Sequence, residues 1–311
     1  MRALVTGGAG FIGSHVVDAL LREGWAVRVL DNLSTGYRKN LAGKRVEFLE
    51  GDIRDVALVA HATHDVDAVF HLAAHIGNVK SLAEPVTDSE INAAGTVTVL
   101  DAAAKNAVPR FVYSSSAAIF GELEGTVIGE EHPQLPTSPY GVSKLAGEKY
   151  ALCYGRLSPM VVVCLRYFNV YGVNQRYDAY GNVIPIFAQR LHTGQPLIVY
   201  GDGEQTRDFV NAKDVARANL LAATKAQRSG VYNVGCGEST TVNLLAQLVQ
   251  EASGIRTTIE YAPPRAGEVL HCKADIHKLR QELGFVPDPD IRRGLVEYFR
   301  WFADDRSAAA R

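Results

Sequence analysis

In "SPYGVSK", residues 138–144, Tyr140 is followed four residues later by Lys144, and it is the one tyrosine of the chain's 13 with a lysine at that spacing. On a helix, positions i and i+4 share a face one turn apart. The preceding Ser-Pro has the form of a helix start, so a phenol and an ammonium are expected side by side in its first turns. A free phenol titrates near 10 and is no base at neutral pH. Bringing it to about 7 is a shift of about 3 units, or roughly 4 kcal/mol. An ammonium in a partly buried site supplies part of that. The expected chemistry is a tyrosinate acting as general base, with Lys144 making Tyr140 acidic. Ser116, in "YSSSAAIFG", stands 24 residues upstream at the end of an expected strand, and from there its hydroxyl converges on Tyr140. Alone, the pair reads as a packed ring beside a solvated amine; the serine and a glycine-rich loop tilt the reading toward catalysis.

That loop is "VTGGAGFIG", which follows the first apolar run and opens a helical pattern. Gly8, Gly10 and Gly13 fit G-x-G-x-x-G, and Gly7, Gly10 and Gly13 equally fit G-x-x-G-x-x-G. Either way the backbone turns tightly and approaches a pyrophosphate, which sits on the helix N-terminus. Asp31 ends the second expected strand, 18 residues past Gly13. A carboxylate there accepts from a ribose 2′-OH and repels a 2′-phosphate, so the cofactor expected is NAD rather than NADP. Asp52 and Ile53, in "GDIR" at the end of the third strand, are placed to hold the adenine edge. Lys144 then also holds the nicotinamide ribose.

The elements that position these groups alternate. "RALVT", "AVRVL", "VEFLE", "DAVFH", "RFVYSS" and "MVVVCLR" read as strands, with helical periodicity between most of them, as at 12–22 and 90–106. Such alternation implies an α/β fold: a Rossmann-type, doubly wound parallel sheet covered on both faces. Past about residue 170 the rhythm breaks into loop-like stretches and short helices, the mark of a smaller C-terminal substrate lobe. We expect a cofactor domain over 1–169, with a possible return near 207–235 through "GVYNVG", and a substrate lobe over 170–311. The tail "DDRSAAAR" is expected to fray.

Bulk properties narrow the function. Apolar content of 47%, charged content of 21% and a net charge of −2 describe an ordinary globule and argue against nucleic-acid or membrane-surface binding. The longest apolar runs are too short to cross a bilayer. "MRALVTGGAG" leads straight into a strand, so no signal peptide is expected. Cys153, Cys164, Cys236 and Cys272 form no CxxC pair, which suggests reduced thiols in a cytoplasmic protein. The pairs His71/His75 and His61/His64 lack helix geometry and a completing carboxylate, so no metal is expected; His75 is left as a residue of the active-site cleft.

Taken in order, "GGAGFIG", "DNLSTG", "GDI", "HLAA", "SSSAAIFG", "YGVSK", "LRYFNVYG", "GDGEQTRDF" and "RAGE" resemble the extended short-chain dehydrogenases/reductases, most closely the UDP-glucose 4-epimerase group, over nearly the whole chain. The resemblance implies NAD in the large domain and a UDP-sugar in the lobe. For the cofactor it implies Phe11, Ile12, Asn32, Ser34, Thr35, Gly36, Leu72, Ala73, Ala74, Asn92, Ser114 and Phe168 beside the residues above. For the substrate it implies Asn169, Asn182 and Val183 near the uracil, Tyr200 and Phe209 packing at the base, Arg207 and Arg265 on the diphosphate, and Glu268 on the uridine ribose. Ser116 is its proton-relay hydroxyl and Tyr140 its base. One departure is visible: the family's phosphate-holding lysine after the fourth strand falls on Ile76. Cys272, seven residues past Arg265, takes the position of the family's size gate beside the sugar C2 substituent, and a cysteine there leaves room for an N-acetyl group.

The implied activity is an NAD-dependent UDP-glucose/UDP-galactose 4-epimerase, extending to UDP-GlcNAc/UDP-GalNAc, and a homodimer through helices near 90–106 and 140–156. Alternatives remain. A UDP-glucuronate 4-epimerase or decarboxylase shares the chassis. A nucleotide-sugar dehydratase wants acidic residues after the serine, where "SSSAAIFG" has alanines. An NAD-sensing regulator needs neither Tyr140 nor Lys144.

Overall fold

The computed structural model describes residues 1–121, 125–175, 182–264 and 270–309, the last four by backbone alone. Seven strands form one parallel sheet: β1 (Arg2–Thr6), β2 (Ala26–Asp31), β3 (Val46–Glu50), β4 (Ala68–His71), β5 (Arg110–Ser116), β6 (Val161–Tyr167) and β7 (Gly230–Val234). Their spatial order is β3-β2-β1-β4-β5-β6-β7. The chain runs outward from β1 to β3, then returns to the other side of β1 for β4, so a crevice opens at the carboxyl ends of β1 and β4.

Alternation along each strand builds two cores. On β1, Ala3 and Val5 face the helices Phe11–Arg22 and Ala212–Lys225, meeting Val16, Leu20, Val215 and Ala222. Leu4 faces the other way, toward Val59, Val99, Leu100 and Ala151 from the helices Val56–Ala62, Thr96–Lys105 and Pro139–Leu157. Burial on both faces is why inner strands such as β1, β4 and β6 read as near-continuous apolar runs, while the edge strand β3 does not.

A third core lies in the C-terminal part of the chain, where the helices Val183–His192, Val242–Ser253 and Ile291–Ala309 close on Phe187, Leu191, Leu245, Val249, Leu295 and Phe299. "GVYNVG" supplies β7, which pairs with β6 as the seventh strand of the large sheet. Two expectations need correction. The segment 90–106 is not a uniform α-helix: Glu90–Gly95 is a π-helical turn that continues as the α-helix Thr96–Lys105. The tail does not fray from Asp304, because the helix begun at Ile291 carries through to Ala309.

Candidate active site

The glycine loop settles its own pattern. Gly7 has φ +70°, and a Cβ there would stand 2.7 Å from the Ala73 nitrogen of the β4 loop. At Gly13 a Cβ would fall 2.1 Å from the Gly7 oxygen. Gly8 is turned away, with its hypothetical Cβ 2.8 Å from Val29. Gly7, Gly10 and Gly13 line the crevice with Phe11 and Ile12, and Gly8 does not. No side chain caps the helix Phe11–Arg22, so its first N–H groups remain free for an anionic ligand.

Asp31 is buried and its two oxygens are already employed. Oδ2 accepts from the Ala9 N–H at 2.9 Å and Oδ1 from the Leu33 N–H at 2.8 Å, tying the glycine loop to the β2 turn. Burial raises its pKa against the pull of these two bonds. Asn32, Ser34 and Thr35 line the crevice beyond it, with Asp52, Ile53, Leu72, Ala73 and Ala74. The Arg54 guanidinium holds Asp52 at a pKa of about 2. Gly36 lies outside the lining; it packs on the loop from behind, where a Cβ would meet the Ala9 carbonyl carbon at 2.8 Å.

Tyr140 and Lys144 ride on the helix Pro139–Leu157. Ser138 caps it by accepting from the Gly141 N–H at 3.1 Å, and Pro139 occupies the first turn, as the Ser-Pro suggests. Two glycines let this helix press onto β5 and the turn that follows it: a Cβ on Gly147 would stand 2.3 Å from the Tyr113 hydroxyl, and one on Gly141 2.5 Å from the Ala118 oxygen. That approach sets Tyr140 beside Ser116, whose hydrogen bond pulls the phenol pKa down while burial, the larger influence, raises it. Lys144 is buried, and its ammonium lies 4.5 Å from the Tyr113 ring centre. Burial draws the lysine down to a pKa of about 8. Without cofactor, burial outweighs the Ser116 bond at Tyr140, and the Lys144 ammonium rests on the Tyr113 ring.

Two expected contacts, Asn92 and Phe168, fall outside the crevice lining, while His75 lies in it. Asn92 is fully buried and clasps the β4 loop like a backbone segment, accepting from the His75 N–H and donating to the His75 carbonyl, both at 2.8 Å. Phe168 turns into an apolar cluster with Ile119, Phe120 and Cys272, while its neighbour Tyr167 lines the crevice and bonds Ser114 at 2.9 Å. His75 lines the crevice wall, but its ring is engaged by Asp88 at 3.2 Å and Glu84 at 3.3 Å. His71 bridges Thr6 and Thr96 at 2.7 and 3.0 Å, and burial drops its pKa to about 3. Among the described residues no group of three or more His, Cys, Asp or Glu is arranged to hold a metal.

A second cavity adjoins the first, lined by Asn169, Asn182, Val183, Tyr200, Arg207 and Phe209. Asp208 fixes the Arg207 strand by accepting from the N–H groups of Cys236, Gly237 and Ala274 at 2.6, 2.9 and 3.0 Å; burial raises it to about 6. Cys272 is packed in the Phe168 cluster. Arg265 and Glu268 lie outside the described residues. Sequence reasoning overlooked Lys80, the one residue among those described that lines both cavities. Its signal was faint: a lysine four residues past Ile76, on the short helix Asn78–Ala83.

Residues 3–235 match the family model described as NAD dependent epimerase/dehydratase family. The chain belongs to that family. UDP-glucose 4-epimerase from Thermotoga maritima, solved with UDP-glucose, is 38% identical with a TM-score of 0.92, covering 98% of this chain and 100% of its own. UDP-N-acetylglucosamine 4-epimerase from Methanobrevibacter ruminantium, solved with UDP-N-acetylmuramic acid, is 36% identical with a TM-score of 0.93, covering 98% of each chain. A dTDP-glucose 4,6-dehydratase from Streptomyces niveus is 35% identical over 99% of this chain and 94% of its own. The chain is thus an extended short-chain dehydrogenase/reductase of the NAD-dependent nucleotide-sugar epimerase/dehydratase kind. Among the described residues no helix of this family member is long and apolar enough to cross a membrane.

Proposed function

We propose that this family member is an NAD-dependent UDP-sugar 4-epimerase. The observation that carries the reading is the hydrogen bond of Ser116 to Tyr140, which lines the crevice together with Lys144, with alanines at 117 and 118 immediately after the serine. Dehydration needs an acid to protonate a leaving hydroxyl; the turn Ala117–Ile119 has none to offer, whereas epimerisation at C4 asks for a single base.

The crevice fits the cofactor. The uncapped helix start accepts a pyrophosphate, Asp31 stands at the ribose position, and Asp52 and Ile53 stand at the adenine end. Bound there, NAD supplies a reversible hydride acceptor and, on its oxidised ring, a positive charge beside the phenol. Tyr140, as phenolate, takes the proton from the sugar O4 and returns it to the opposite epimer. Ser116 donates to the phenolate and orients the sugar hydroxyl. Lys144 keeps the cavity positive while the phenol is ionised. In the lobe, Arg207 matches the diphosphate with its fork, Asn182 and Val183 flank the uracil, Tyr200 and Phe209 pack at the base, and Asn169 stands toward the sugar. Arg265 and Glu268 complete the diphosphate and ribose contacts in this reading. The assembly is a homodimer: Val142, Tyr150 and Leu157 expose one apolar face of the helix Pro139–Leu157 that a second copy would cover.

A second substrate class is favoured by Cys272. A cysteine packed against Phe168 fills far less space than a tyrosine, so an acetamido group at C2 is admitted. The test is a panel of UDP-glucose, UDP-GlcNAc and UDP-glucuronate, read by NMR for inversion at C4, on wild type and Cys272→Tyr. Wild type is expected to turn over both of the first two, and the variant to keep only the hexose. No inversion of any of the three by wild type would end the epimerase reading; a variant that still handles UDP-GlcNAc at full rate would end the role of Cys272.

A further inference from the structure

Behind the catalytic turn lies a carboxylate that the reaction as described does not use. Asp88, on the short helix Pro85–Ser89, is fully buried. It accepts from the Ser143 hydroxyl and from the Asn92 amide at 3.0 Å, and His75 Nδ1 stands 3.2 Å away. Ser143 sits between Tyr140 and Lys144 in sequence, and its hydroxyl also lies 3.1 Å from the Tyr140 carbonyl. Asp88 is thus joined through one hydroxyl to the turn that carries both catalytic groups.

The charges around that turn are few. Lys144 is faced by Asp88, by Glu148 on its own helix, by the Cys164 thiol of β6, and by the Tyr113 ring of β5, with His71 of β4 behind the ring. Glu148 is matched by Arg166, which grips it at 2.7 and 3.0 Å. Burial pushes the Cys164 thiol up and His71 down, so neither carries charge at neutral pH. Tyr140 is faced by Ser116 and Asp88. Of the two buried carboxylates that face Lys144, Glu148 is gripped by Arg166, whereas Asp88 is held by Ser143, Asn92 and His75. Asp88 raises the pKa of Lys144 and that of Tyr140 together.

We propose that Asp88 is a positioning residue of this site: it seats the Tyr140–Lys144 turn through Ser143 and supplies the negative charge that balances the Lys144 ammonium. The proposal rests on the reading of Tyr140 as base. Removing one negative charge favours deprotonation of both neighbours. In Asp88→Asn, both limbs of the pH–rate profile should move to lower pH, the acid limb with Tyr140 and the alkaline limb with Lys144, each by about one unit. A purely structural loss would lower kcat and leave the limbs in place. Ser143→Ala removes the hydrogen bond and keeps the charge, so it should lower kcat at unchanged limbs.

The measurement is C4 inversion of UDP-glucose across pH. Alongside it runs an ultraviolet titration of tyrosinate, with Tyr140→Phe as the blank, which needs no turnover. Limbs and phenol titration that stay at wild-type positions in Asp88→Asn overturn the proposal. If that variant does not fold, Asp88→Glu retains the charge and should hold both limbs while losing rate; limbs that move with the charge intact overturn it equally. A wild type whose acid limb does not follow Tyr140 would instead sink the base assignment itself.

Discussion

Adding one methyl group at Gly13 should separate what the glycine loop does for the fold from what it does for the ligand. A Cβ built there lies 2.1 Å from the Gly7 oxygen and 2.8 Å from both the Gly7 carbon and the Gly8 Cα. A relaxed carbon–oxygen contact is about 3.3 Å, so the helix start must retreat by about 1.2 Å. Every obstructing atom is backbone, so no side chain can swing aside. Overpacking of this kind costs about 1–3 kcal/mol, and the upper end applies here. At about 2 °C per kcal/mol for a chain of this size, Gly13→Ala should melt about 6 °C below wild type. Gly10→Ala is the internal contrast. Its Cβ meets only the Gly7 oxygen, at 3.1 Å, and the methyl projects from a residue that lines the crevice. That variant should melt close to wild type yet bind NAD at least about tenfold more weakly, a loss of about 1.4 kcal/mol. Thermal melts by circular dichroism and NAD titration calorimetry read the two effects separately. A Gly13→Ala protein that melts with wild type, or a Gly10→Ala protein that binds NAD as wild type does, would refute the steric argument.

Two further outcomes follow from the same site. Tyr140→Phe removes a single oxygen and should lower C4 inversion by about 10²–10⁴-fold while NAD and UDP binding persist; near-wild-type turnover would end the assignment. Asp31→Asn with an arginine added nearby should raise NADP affinity relative to NAD in direct binding assays, and a wild type that already binds both equally would remove Asp31 as the discriminator.

The sheet was legible because burial on both faces of its inner strands favours Val, Leu and Phe, as in Arg2–Thr6, Ala68–His71 and Val161–Tyr167. The glycine pattern was legible in kind but not in register, since Gly7 and Gly8 are adjacent and the backbone turn at Gly7 against Ala73, with Gly8 facing Val29, decides between them. The π-helical turn at Glu90–Gly95 left no trace, because its residues suit an α-helix equally well. Phe168 was assigned to the cofactor by resemblance, yet the chain turns it into the Cys272 cluster while Tyr167 takes the crevice wall. Adjacent residues at a strand end point to opposite sides, so a shift of one position exchanges a ligand contact for a core contact. Spacing places a phenol near an ammonium, but Tyr113, on whose ring the ammonium rests, was not visible as its seat.

What fixes this site is a set of buried polar pins rather than the loops that carry its residues. Asp31 joins the glycine loop to the β2 turn, Asn92 clasps the β4 loop, and Asp208 gathers the Arg207 strand with two distant turns. The strongest pin is Arg166, which is almost wholly buried. It holds both oxygens of Glu148, donates to the Glu130 carbonyl at 2.6 Å and lies 5.2 Å from the Phe120 ring. Glu148 accepts in addition from Ser115 at 2.6 Å. One ion pair therefore binds the Tyr140 helix to β5, which ends in Ser116, and to β6, which ends in Tyr167. Desolvating such a pair returns little stability compared with an apolar replacement, while breaking it costs about 3–5 kcal/mol. Its return is directional: forks and carboxylates have one satisfying geometry, whereas leucines have many. A base that must stand within hydrogen-bond reach of a serine and a sugar hydroxyl needs that direction more than it needs the energy.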